Sequence, residues 1–358
     1  MPLKDMDFNQ FSCDLITKIN NMPEHPLNQF VAYNYYTDFF TTIKQILETN
    51  TFLKAKSSIL LNKLQLNNNF DQMKYLQFIS ELIFIKYAIS KNLIFSIDKK
   101  LQIADGKNTD VDLQIQTQDI DINIEIKCPH FEKNTTFERV LNINTGFRTI
   151  NKELLDDYKK IIERDIVNPI MTHPDSDFID FNFQNCKDLK LFDYLKSAQS
   201  KFPKSTEKSI NVLAIAVHIS EFNDYFGYLY NTFSGLFCNK NNELFKESNL
   251  TVDMYDKVDV VYLTSLTTGH YKTDDRYSSF ELGSYFNLLC RNPFSRKIQD
   301  SKNTISYEVL QNSLPNSTVD FENFYNDFMK IVEETQHPIE QLLFPEYISK
   351  KFPELWKH

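Results

Sequence analysis

Two stretches of the chain alternate between apolar and polar residues at every second position. They are Thr109–Gln116, carrying Val111, Leu113 and Ile115, and Ile122–Pro129, carrying Ile124 and Ile126. Period-two patterning of this kind predicts two strands whose aliphatic side chains share one face, joined by a turn around Gln118–Asp121. Ile210–Ile219 is a continuous apolar run, the pattern of a strand buried on both faces, and Val258–Leu263 is a shorter run of the same kind. Apolar residues at three- and four-residue steps predict helices elsewhere. Phe30, Tyr33, Tyr36, Phe39, Phe40, Ile43 and Ile46 mark one helical region between Asn28 and Leu66, and Ile150, Leu154, Tyr158, Ile161 and Ile162 mark an amphipathic helix over Thr149–Val167. Asp71–Lys91 is apolar nearly all round in its second half, so that helix is expected to be buried. Asn92–Ile97 reads as a first strand, and Gly106 marks the turn that follows it. Phe226–Phe237 fits either a strand or a helix. Phe321, Phe324, Tyr325, Phe328, Ile331 and Val332 fit one face of a further helix, ended by His337-Pro338.

The order helix, three strands, helix, strand predicts an α/β core with a mixed sheet flanked by helices. The expected layout is a helical region at 1–69, the core at 70–266 and a helical region at 267–358. Residues 168–209, rich in Pro, Asp, Ser and Asn, read as an insertion or linker with one helical island around Leu189–Ala198.

Composition narrows the function classes. The 358 residues include only 6 glycines, which leaves no glycine-rich phosphate loop and no dinucleotide fingerprint. A formal net charge of -9 disfavours a non-specific polyanion binder, so a nucleic-acid enzyme of this charge must concentrate its basic residues locally. The 5 cysteines are scattered without a C-x-x-C pair, which points to neither a disulfide framework nor a zinc site and fits a reducing cytoplasm. The amino terminus lacks a basic-then-apolar leader pattern, and the longest charge-free apolar stretch, Ile210–Ser220, is too short to span a bilayer. A cytoplasmic protein without a membrane role is expected.

The chemistry concentrates on the polar face of the two alternating strands. Asp110 and Asp112 point one way from the first strand, and Glu125 and Lys127 share a face of the second. If the strands pair, carboxylates and an ammonium converge. Mg²⁺ and Mn²⁺ favour carboxylate oxygens, and a lysine beside a metal-bound water can orient or deprotonate it, so the arrangement points to metal-assisted hydrolysis of a phosphodiester.

Asp112 followed by Glu125-Ile126-Lys127 resembles the Asp...Glu-x-Lys core of the PD-(D/E)xK nuclease superfamily, and Glu-Ile-Lys-Cys-Pro at 125–129 is similar to the form in its phage-type exonucleases. The resemblance covers about Phe70–Leu266 and departs from the pattern in having no proline before either aspartate, which leaves both Asp110 and Asp112 open as the ligand. It implies a restriction-endonuclease-like core, a Mg²⁺ or Mn²⁺ ion held by Asp112 and Glu125, and Lys127 at the attacking water. It also implies that Glu81, on the helix before the first strand, joins the metal site. The alternative for Glu81 is pairing with Lys74 or Gln77. The implied substrate is DNA rather than RNA, in restriction, repair or defence against phage. A homodimer or protein partner stays open, and so does a non-cleaving module that keeps the fold for binding.

Other chemistry-bearing stretches have plainer readings. His173-Pro-Asp-Ser-Asp has metal-ligand residue types but lies in the polar insertion. His218 reads as a core histidine. Lys152, Lys159, Lys160 and Arg164 interleave with Glu153, Asp156, Asp157 and Glu163 as a solvated mixed face. Thr267–Tyr277 interleaves aromatic and basic residues, as a surface loop or a stacking platform for nucleic acid.

Overall fold

A computed structural model describes residues 8–23, 25–29, 34–49, 63–65, 70–102, 108–130, 140–144, 152–174, 176–184, 188–230, 235–237, 251–270, 279–295 and 304–316. The longer helices are α1 (Phe8–Asn20), α2 (Asn34–Thr49), α3 (Gln72–Ser90), α4 (Lys152–Ile162), α5 (Asp188–Lys201), α6 (Ile219–Tyr230) and α7 (Thr304–Ser313). The strands are β1 (Ile94–Gln102), β2 (Asn108–Gln116), β3 (Asp121–Lys127), β4 (Val140–Asn144), β5 (Asp180–Gln184), β6 (Ser209–Ala216), β7 (Val260–Thr264) and β8 (Asn287–Arg291).

Six strands form one mixed sheet in the order β1-β2-β3-β6-β7-β8. β1, β2 and β3 are antiparallel neighbours, β3, β6 and β7 run parallel, and β8 closes the far edge antiparallel to β7. The α/β architecture with a mixed, helix-flanked sheet matches the order of elements read from the sequence. β4 and β5 pair separately as a two-stranded parallel ribbon.

The sheet is covered on both faces, as its apolar runs require. In β6, Ile210, Val212, Ala214 and Ala216 face one buried cluster, while Leu213 and Ile215, with Val217 just after the strand, face a second. The first cluster takes in α3, whose buried residues Tyr75, Leu76, Phe78, Ile79, Leu82, Ile83, Phe84, Ile85 and Ala88 lie nearly all round its axis. Asp71 starts this helix: its Oδ1 accepts from the amides of Met73 and Lys74 at 3.0 and 3.2 Å, as an N-cap side chain should. The second cluster takes in α5 through Leu191, Leu195 and Ala198, and α6 through Ile219, Phe222 and Leu229. Each fully buried Leu or Ile contributes roughly 1.5–3 kcal/mol relative to exposure, so the two layers fix where α3 and α5 stand over the sheet.

Several expectations change. Phe226–Phe237 resolves as helix for its first part, since α6 runs to Tyr230. The central sheet extends past Leu266: β8 comes from the region expected to be helical, because Asn287–Cys290 are buried against β7. The start of the supposed surface loop is also interior. Thr267, Thr268, Gly269 and His270 form a buried 3-10 turn, and a Cβ on Gly269 would stand 2.3 Å from the Tyr285 hydroxyl. His270 Nδ1 meets the Tyr35 hydroxyl at 2.7 Å, and burial holds its imidazole down at about 3. The rest of that loop and the carboxy-terminal stripe at Phe321–Val332 lie outside the described residues. No helix among the described residues is long and apolar enough to cross a membrane.

Candidate active site

The β2–β3 hairpin builds the site. Its turn is closed by Thr117, whose hydroxyl donates to the Ile120 carbonyl at 2.8 Å and accepts from the Ile120 amide at 3.0 Å. The ladder runs Gln116↔Asp121, Ile115↔Ile122, Gln114↔Asn123 and Leu113↔Ile124, then ends. Beyond it the Asp112 side chain replaces the backbone: the Ile126 amide donates to Asp112 Oδ2 at 2.7 Å. The strands therefore part where the acidic residues stand.

Three side chains below the gap hold the strands together across the buried sheet. Gln114 Nε2 donates to Asn123 Oδ1 at 2.9 Å, and Asn123 Nδ2 donates to Asn211 Oδ1 at 2.9 Å. From α3, Gln77 clamps the end of β3, donating through Nε2 to the Ile126 carbonyl at 2.9 Å and accepting at Oε1 from the Cys128 amide at 3.0 Å.

Glu125 is fully buried, and its two oxygens are unequal. Oε1 accepts from Lys127 Nζ at 2.6 Å and from Lys201 Nζ at 2.7 Å, whereas Oε2 is buried and has no partner among the described residues. Lys201 is the last residue of α5, and its carbonyl accepts from the Thr109 hydroxyl at 2.6 Å, which ties that helix end to β2. Glu81 on α3 is paired twice as well: Oε2 accepts from Lys63 Nζ at 3.1 Å and Oε1 from Gln77 Nε2 at 3.2 Å.

Electrostatics single out Asp112. Burial, followed by the charges of Glu125 and Glu81, pushes its carboxyl up to about 7, against the lowering effect of the Ile126 amide and Lys201. The lysines answer the same field. Burial pulls Lys201 down, but bonding to Glu125, with Asp112 and Asp110 nearby, leaves its ammonium above the ordinary range; Lys63 behaves likewise with Glu81, Asp98 and Asp112.

Of the sequence-derived set, Lys127 is bonded to Glu125, and Asp112 lies near enough to feel the charges of Glu125 and Glu81. Asp110 is exposed at the rim. Glu81 pairs with Gln77, one of the partners weighed for it, while Lys74 turns to Asp71 instead. His173 is exposed and His218 half-buried, its Nδ1 bonded to the Ser220 hydroxyl at 2.8 Å. On the mixed face of α4 and the turn after it, Lys160 pairs with Asp157 and Arg164 with Asp165.

Lys201 and Lys63 escaped sequence reasoning. Lys201 carried one usable signal: the spacing Leu191, Leu195, Ala198, Phe202 marks an amphipathic helix that reaches past the expected island and seats its end against the sheet. Lys63 carried none, because nothing in its neighbourhood ties it to Glu81.

Among the described residues, no three His, Cys, Asp or Glu side chains stand close enough together to hold a metal ion as they are. The donor chemistry nonetheless suits a hard divalent cation. Glu125 Oε2 is a buried acceptor without a partner, and Asp112 feels the charge of both other carboxylates. Comparison with family models, curated proteins and solved structures found no match for the chain.

Proposed function

We propose that this chain is a metal-dependent nuclease with a restriction-endonuclease-like core, acting in the cytoplasm on DNA in preference to RNA. The observation that carries the reading is the unpartnered, fully buried Glu125 Oε2 in a site that also holds Asp112 and Lys127. A buried acceptor left unsatisfied costs about 1–3 kcal/mol, which a divalent cation at Oε2 would offset. Asp112 and Glu125 would hold Mg²⁺ or Mn²⁺, with Glu81 in support. Such an ion supplies a Lewis acid for the phosphoryl oxygens and lowers the pKa of a bound water.

The remaining work belongs to the chain. Lys127, 23% exposed, is the ammonium from the Glu-x-Lys strand that reaches solvent beside Glu125, where it can hold an attacking water or a phosphate oxygen. The Ile126 amide fixes the Asp112 rotamer through Oδ2, and Gln77 fixes the end of β3, so the Glu125–Lys127 segment is set before substrate arrives. By fold-level analogy the setting is restriction, repair or defence against phage, alone, as a homodimer or with a protein partner.

The test is incubation of the purified protein with linear duplex, circular duplex, single-stranded DNA and RNA, in Mg²⁺, Mn²⁺ or EDTA. Cleavage of DNA with either ion and none in EDTA is the expected result; intact substrates under every condition would refute it. One observation favours a second reading, a non-cleaving binding module. Glu81 and Glu125 already lie in ion pairs with Lys63, Lys127 and Lys201, so charge in the site is largely balanced without an ion. Nucleic-acid or protein binding without cleavage would select it.

A further inference from the structure

We propose that Lys201 is the counter-charge of this site in the cation-free protein, and that its ammonium on Glu125 Oε1 opposes the binding of a divalent cation at Oε2. The inference rests on the metal-dependent reading above and assigns its regulation to one residue.

A carboxylate as buried as Glu125 needs compensating positive charge, because an isolated ion in the interior loses several kcal/mol of hydration. Two ammoniums supply it, and both converge on Oε1. They are not equivalent. Lys127 lies two residues from Glu125 on β3, so both partners ride on one strand. Lys201 arrives from 76 residues away, carried by α5. Its backbone is pinned by the Thr109 hydroxyl, yet its side chain is 29% exposed. A lysine ammonium is a compact charge on a flexible four-carbon stem, so Lys201 can leave for water while its helix stays in place.

Asp112, Glu125 and Glu81 stand with Lys127, Lys201 and Lys63, and Asp110 and Asp98 also act on Lys201 and Lys63. A divalent ion brought to Glu125 meets repulsion from the ammonium already bonded to its intended ligand. Of the two ammoniums on Glu125, Lys201 is the more exposed, at 29% against 23% for Lys127.

The proposal makes a prediction of unusual sign. A residue that merely braces Glu125 would, when removed, loosen the ligand and weaken cation binding; a residue whose charge opposes the ion would, when removed, tighten it. The experiment is calorimetric titration of the full chain with Mn²⁺ at pH 7.5, paired with melting temperatures with and without the ion. Wild type is compared with Lys201→Met, Lys201→Gln and, as a control for surface charge, Lys160→Met.

Loss of one unit charge a few ångströms from the ion should tighten Mn²⁺ binding by about tenfold or more in both Lys201 variants and leave Lys160→Met unchanged. The cation-free melting temperature should fall in Lys201→Met, and its rise on adding Mn²⁺ should exceed that of wild type. Lys201→Gln keeps a donor for Oε1, so it carries the comparison if Lys201→Met does not fold. Mn²⁺ affinity equal to or weaker than wild type in both Lys201 variants, with wild type binding the ion, overturns the role of Lys201 and leaves the metal-dependent reading standing. Absence of Mn²⁺ binding in wild type and variants alike overturns both.

Discussion

Replacing Asp112 by Asn should stabilise the cation-free protein at pH 8 and do almost nothing to its stability at pH 4. The substitution keeps the shape of the side chain and an oxygen to accept from the Ile126 amide, so the split between β2 and β3 is preserved. What it removes is a carboxyl that burial, Glu125 and Glu81 have pushed from an ordinary 3.8 up to about 7. Because that value is higher in the folded state, the contribution of Asp112 to stability is fully present below 3.8 and is lost as pH rises through about 7. At pH 8 the wild-type fold carries an ionised carboxylate it would rather protonate, while Asn carries none. A rise of that size corresponds to about 4 kcal/mol, and screening by the surrounding lysines and water leaves roughly 2 kcal/mol. For a chain this long that is a rise of about 3 °C in Tm. Melting curves in EDTA across pH 4–8 measure it. A Tm difference that does not change with pH, or an Asp112→Asn protein less stable than wild type at pH 8, would refute the electrostatic account of the site. Asp110→Asn is the internal comparison: it is exposed, and its stability should stay within about 0.5 kcal/mol of wild type at every pH. In the cleavage assay Asp112→Asn should lose activity as fully as Glu125→Gln, and Asp110→Asn should keep most of it; the reverse pattern would move the ligand to Asp110.

Two further outcomes follow from the same geometry. Lys127→Ala should abolish cleavage and leave the circular-dichroism spectrum and melting cooperativity intact, since Glu125 keeps Lys201; wild-type turnover at equal purity would take Lys127 out of the chemistry. Glu81→Gln should raise the Mg²⁺ concentration needed for half-maximal activity, while Glu207→Gln, at an exposed position, should not, and equal effects at both positions would place Glu81 outside the site.

Much of this site could be read from local pattern. Alternation at Thr109–Gln116 and Ile122–Lys127 sufficed to pair the strands and to set Asp112 near Glu125, because a hairpin encodes its register in neighbouring residues. The buried character of α3 and β6 was equally plain, since each is apolar over most of its length. What could not be read is what depends on distant parts of the chain. β8 has five residues and no alternation, and it is a strand because β7 offers it an edge. Thr267–His270 is polar in sequence and buried in fact, with partners such as Tyr35 lying 235 residues away. Lys201 and Lys63 are ordinary charged residues by every local measure and acquire meaning through Glu125 and Glu81 alone.

The position of β3, between a local hairpin and a long-range parallel ladder, also sets an order of assembly. Gln114 and Asn123, which bridge the hairpin, are 9 residues apart, whereas Asn123 and Asn211, which bridge β3 to β6, are 88 apart. Chain-closure entropy alone makes the second junction about 2 kcal/mol harder to form. Hairpins close in microseconds, and non-local parallel pairing is slower. Asp112, Glu125 and Lys127 should therefore meet early in refolding, and Glu125 should wait in contact with water, attended by Lys127 alone, until α5 docks and delivers Lys201. Pulsed hydrogen exchange reads this directly: the amides of Ile122 and Ile124 should gain protection before those of Val212 and Ala214, and simultaneous protection of all four would rule the sequence of events out.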